Sequence, residues 1–174
     1  MNDIVGRIWA MVFGIMIMFV GSLTLFSLKQ DMISQNVVNT ATQEFVDISR
    51  QTGTVTKSQY QNFISKLDST RNLYTVKMQH FKQKTAVVDA SGNPQDRGDS
   101  FETYFMTYTQ DEILDSIDAN ADSKYYMSPG DFFKVTVTNT TPTLGRRLLG
   151  VFIFRPTNTG GQIYSSYGGK VGND

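Results

Sequence analysis

The sequence predicts an α+β fold: one long N-terminal helix, first a transmembrane segment and then amphipathic, packed on a small, mainly antiparallel sheet. Three observations predict it. Residues 8 to 28, IWAMVFGIMIMFVGSLTLFSL, carry no charge, and about twenty apolar residues suffice for a helix to cross a bilayer core. Past Lys29 the apolar residues Ile33, Val37, Ala41, Phe45 and Ile48 recur at helical spacing, with polar residues between them. Downstream, segments with a period of two alternate with turn signals and short amphipathic stretches.

The first element is read as one continuous helix over residues 4–52, because no proline interrupts it and Gly53 stands where a left-handed C-cap is expected. At the usual rise it is on the order of 70 Å long. A secretory signal would have a shorter apolar region and a small-x-small cleavage site. Here the run ends in Leu25-Phe26-Ser27-Leu28 with Lys29 next, so the reading is an uncleaved anchor. Beyond the bilayer, Ile33, Val37, Ala41, Phe45 and Ile48 are expected to fasten the helix to the folded part.

Thr56 with Gln59 forms a capping box that opens a short helix carrying Tyr60, Phe63, Ile64 and Leu67. Residues 73–81 alternate, with Tyr74, Val76, Met78 and His80 on one side, and predict the first strand. A polar loop over 89–100 leads to a second strand through Tyr104, Met106 and Tyr108. Thr109 and Glu112 then cap a helix with Ile113, Leu114 and Ile117 on its apolar face. Ser128-Pro129-Gly130-Asp131 is a turn before a third strand through Phe133, Val135 and Val137. Thr141-Pro142 is read as the start of a short helix, residues 163–167 as a last strand, and the glycine-rich end as mobile. The organisation is thus a tail and anchor over 1–28, an extramembrane helix over 29–53, and one α+β exodomain over 54–174.

Composition excludes several classes of function. The 16 basic and 16 acidic residues balance, and the basic ones are scattered along the chain, so nucleic acid is not an expected partner. There is no cysteine and a single histidine, His80, which rules out disulfides, thiolate metal sites and any site needing two histidines. Asp118, Asn120 and Asp122 open like a calcium loop, but Ser123 replaces the expected glycine and Pro129 the closing glutamate. Asp111 and Asp115 share a helix face and read as a solvated pair. No catalytic residue, metal site or cofactor is expected.

Two further motifs concern surfaces. Gly6, Ala10, Gly14 and Gly21 form a small-residue stripe along the span, where a second helix can approach closely. Arg146-Arg147 precede the apolar run LLGVFIF and read as the charged lip of a core segment.

An N-terminal membrane helix running into an amphipathic helix and then a small sheet resembles the pilin-like architecture. More narrowly, QNVVNTATQEFVDISRQTGTVTKSQYQNFISKLDST, NLYTVKMQH, GDFFKVTV and the closing IYSSYGGKV look like TadE-like or other pilin-like proteins of tight-adherence and related secretion systems in Gram-positive bacteria. A prepilin leader would end in glycine with glutamate at the fifth mature position; after Gly6 that position is Met11. The resemblance implies a structural, non-enzymatic subunit in the cytoplasmic membrane with its C-terminal domain extracellular. Its expected partners are lipid and other pilin-like or assembly-machinery membrane proteins, in a homo- or hetero-oligomer. The alternative is an anchored sensing or ligand-binding domain working with a partner.

Overall fold

The computed structural model describes residues 2–88, 100–140, 143 and 163–172. Helix α1 runs unbroken over Asn2–Thr52 and stops at Gly53, whose φ of 65° is the left-handed C-cap that glycine adopts without steric cost. Strand β1 (Thr54–Thr56) leads into α2 (Lys57–Asp68), where Thr56 and Gln59 close the predicted capping box in both directions. Then follow β2 (Tyr74–Val88), β3 (Ser100–Thr109), α3 (Gln110–Ala119), β4 (Lys124–Tyr126), β5 (Phe132–Asn139) and β6 (Tyr164–Lys170).

The main sheet has the order β3-β2-β5-β6, and all its pairings are antiparallel. Its inner face presents Met78, Phe133, Val135 and Val137, all essentially inaccessible, because period-two strands place these residues on one side. The second half of α1 lies across β5 and β6 on that face. Phe45 joins the layers, stacking on Phe63 of α2 with ring centroids 4.6 Å apart and meeting Phe133 edge-on at 6.2 Å. Ile113 and Ile117 of α3 complete the core, as the capping-box reading of that helix requires.

Three elements depart from expectation. Strand β2 extends to Val88, well past Phe81, because its outer half pairs with β3 rather than with β5. Strands β1 and β4 pair with each other as a separate two-stranded sheet; three residues each are too few to show a period. The glycine-rich end, read as mobile, is ordered strand through Lys170. A Cβ at Gly168 would come within 2.8 Å of the Phe133 carbonyl oxygen, and one at Gly169 within 2.5 Å of the Arg50 guanidinium, so these glycines permit close approach rather than motion. The loop beginning at Asp89, the helix read from Thr141-Pro142 and the Arg146-Arg147 segment lie outside the described residues.

Candidate functional site

The first half of α1 has almost no protein cover. Met18 is 77 % exposed and Leu25 70 %, and the helix is long and apolar enough to cross a membrane. A core helix of a soluble domain of this composition would be buried; this one projects from the fold as apolar surface far beyond what a water-soluble monomer carries. It continues without a break into the folded domain.

Gly6 and Gly14 lie on this exposed stretch and Gly21 at its half-buried end, and a Cβ at any of the three would meet nothing within 4 Å. Ala10 is exposed between them. The fold itself therefore does not explain these small residues, and the space beside them is open to another helix.

The second half of α1 is seated differently from the predicted stripe. Ala41 and Phe45 are buried and Val37 half-buried, but Ile33 is 53 % exposed and Ile48 38 % exposed. The buried face is instead Ser34, Val38, Ala41, Thr42, Phe45, Val46 and Ser49. The stripe is corrected by a rotation about the helix axis toward small hydroxyl residues. Thr42 Oγ1 donates to the Val38 carbonyl at 2.7 Å and Ser49 Oγ to the Phe45 carbonyl at 2.8 Å, so each hydroxyl satisfies itself within the helix and packs as a small apolar residue would. Ile48, with Ala41, Phe45 and Phe63, lines an open groove of about 340 Å³ between α1 and α2.

Two polar side chains of α1 clamp the outer edge of β6. The Gln35 amide acts as a strand would: Nε2 donates to the Tyr164 carbonyl at 2.8 Å and Oε1 accepts the Tyr164 N–H at 3.1 Å. At the other end Arg50 Nε donates to the Lys170 carbonyl at 2.7 Å. By the usual rises, Arg50 stands about 22 Å along the helix from Gln35 and Lys170 about 20 Å along β6 from Tyr164. The strands therefore run alongside the helix axis. Asp31 extends the same contact by accepting from the Thr143 hydroxyl.

His80, predicted only to share one side of the first strand with Tyr74, Val76 and Met78, is the centre of a polar cluster. It is 1 % exposed, with Nε2 2.9 Å from Asp131 Oδ2 and Nδ1 2.7 Å from the Tyr125 hydroxyl. Because a carboxylate only accepts, Nε2 carries the proton and Nδ1 accepts from the phenol. Asp131 also accepts the backbone N–H of Gln83 (2.9 Å) and of Ser128 (2.8 Å). Burial pushes the Asp131 carboxyl up, but these donors and His80 together hold it below its ordinary value. Burial, outweighing the bond to Asp131, holds His80 below its usual 6.5, and burial drives the Tyr125 phenol well above its usual range. A phenol so firmly protonated and sealed is no nucleophile at neutral pH. The cluster ties β2, β4 and the 128–131 turn together.

The acidic residues around α3 do not converge. Asp118 pairs with Lys57 at 2.8 Å, Asn120 donates to the Lys124 carbonyl at 2.7 Å, and Asp122 accepts from the Tyr126 hydroxyl. Among the described residues no group of three potential ligands is placed to hold a metal ion. Comparison with protein-family models, curated proteins and solved structures finds no match for this chain. What stands is an α+β domain built on a helix of membrane-spanning length.

Proposed function

We propose that this protein is a structural, pilin-like subunit of a bacterial surface filament or secretion apparatus, held in the cytoplasmic membrane by one pass of α1 with its exodomain outside. One observation carries the reading: a single unbroken helix is bare and apolar in its first half and is the spine of an antiparallel sheet in its second. Such a rod joins membrane and exodomain through one helix with no break in its backbone where the two halves meet. Its open small-residue side supports assembly through the span, since helix association in lipid depends on close backbone approach. The sealed His80 cluster supports a structural role, in that the most chemically capable side chains are spent on tying the fold together.

Alkaline carbonate extraction and protease shaving of intact cells test the reading. Retention in the membrane pellet together with digestion of the exodomain is expected. Release by carbonate, or complete protection from external protease, refutes it.

A further inference from the structure

The fold gathers three lysines that are scattered in the sequence onto one face, while Lys82 and Lys84 have the parity of the helix side. The outer face of the main sheet, turned away from the helices, carries Lys77 on β2, Lys134 on β5 and Lys170 on β6. Lys134 lies directly across from Gln79 and Gly168, and Lys77 and Lys170 are each two residues further along the flanking strands. The three form a diagonal whose steps are about 7–8 Å between neighbouring Cα atoms. No Asp or Glu stands on this face among the described residues, since Glu102 has the inward parity of its partner Ala86 and of His80. None of the three ammonium groups has an ion-pair partner among the described residues.

Behind the sheet, α3 presents the opposite charge. Asp111, Glu112, Asp115 and Asp118 are all exposed; Glu112 is engaged by the Thr109 cap and Asp118 by Lys57, while Asp111 and Asp115 have no such partner. The heights match. Thr109, where α3 begins, is across from Gln79, which is across from Lys134. Copies held upright in one membrane therefore bring Lys134 and the start of the acidic helix to the same level without tilting.

We propose that the lysine face of one copy docks on the α3 face of a second copy. This rests on the reading of the protein as a membrane-held assembly subunit, and it names that subunit's partner and contact. Charge complementarity selects the occupant: one partner accounts for both the acid-free face and the acidic helix. Because front and back differ, the contact is heterologous and propagates into a ring or filament instead of closing a pair. Confinement to a membrane plane raises the effective concentration of copies, so a contact made largely of exposed charge pairs is enough to set register. A twofold pairing of antiparallel β3 edges, in contrast, would turn one copy upside down relative to the shared membrane.

The chain has no cysteine, so Thr136→Cys on the outer face and Ala119→Cys at the end of α3 give clean crosslinking handles on two differently tagged full-length copies in vesicles. A short bis-maleimide should join them, with yield falling as salt rises from 0.05 to about 1 M, where screening reaches about 3 Å. Lys134→Glu or Asp115→Lys alone should lower the yield about tenfold, and the two reversals combined in every copy should restore it. Exodomain melting of each variant checks that the surface changes leave the fold intact. Yield indifferent to both reversals, or no restoration by the pair, overturns the proposal; so does response of Lys134→Glu only to an added polyanion, which would assign the face to an anionic polymer. Carbonate extraction of the same vesicles reads the anchored-subunit proposal separately: release there fails that reading, whereas retention without a charge response fails this one alone.

Discussion

Truncating Phe45 and truncating Ile48 should have very different consequences, although the two residues are three apart on one helix. Phe45 is 4 % exposed and contacts Phe63 face-on and Phe133 edge-on. Removing a buried phenylalanine costs about 3–5 kcal/mol, and the surrounding rings belong to two other elements, Tyr60 and Phe63 of α2 and Phe133 of β5, and cannot all close in on the gap. Ile48 is 38 % exposed on the open groove, so Ile48→Ala loses only part of its transfer free energy and creates no enclosed void; about 1 kcal/mol is expected. For a domain of this size, each kcal/mol moves the midpoint by about 3–5 °C, which places Phe45→Ala about 10–25 °C below wild type and Ile48→Ala within about 5 °C. The assay is thermal unfolding of the full chain in nanodiscs followed by near-ultraviolet circular dichroism. Tryptophan fluorescence is unsuitable, because the single tryptophan, Trp9, sits on the uncovered apolar half of α1, away from the folded domain. Equal losses for the two variants, or none for Phe45→Ala, would refute the seating of α1 described above.

Two further outcomes follow from the same geometry. His80 is held below its usual 6.5 by burial, so the unfolded chain takes up a proton before the folded one does: stability is complete above about pH 6.5 and declines as pH falls from there toward the folded value, by at most about 1.4 kcal/mol per pH unit. Urea midpoints at pH 7.5 and 5.0 should differ in wild type and far less in His80→Phe; equal slopes would exclude His80 as the source. Gly14→Leu keeps the span apolar but fills the open space beside the helix, so in-membrane crosslinking to partner subunits should fail while carbonate-resistant insertion persists, and undiminished crosslinking would remove span packing as an assembly contact.

Local signals were the legible part of this chain. The end of α1 at Gly53, the Thr56 and Thr109 caps, and the inward parity of Phe133, Val135 and Val137 each depend on a few neighbouring residues whose steric and hydrogen-bonding demands are short-range. The face of α1 was not legible by the same means. Apolar periodicity selected Ile33 and Ile48, yet the helix turns Ser34, Thr42 and Ser49 inward, because sheet strands approach closest where side chains are small and because the Thr42 and Ser49 hydroxyls need no partner outside the helix. A polarity pattern counts such residues as solvent-facing; only their spacing of seven and eight hints otherwise.

Contacts between distant segments decided the rest. Gln35 reads as an ordinary polar helix residue until β6, more than a hundred positions away, presents an edge that its amide can complete. His80 reads as a lone histidine on an apolar strand face until β4 and the 128–131 turn bring Tyr125 and Asp131 to its two nitrogens. The lysines show the same limit in its functional form. Lys77, Lys134 and Lys170 are isolated in sequence, and their scatter argued against any concentrated charged surface. Antiparallel register places them on one diagonal of a face that carries no acid among the described residues, so a chain whose formal charges cancel still presents one locally basic surface. The net charge bears on solubility, and the arrangement bears on which neighbours can stand beside an upright copy.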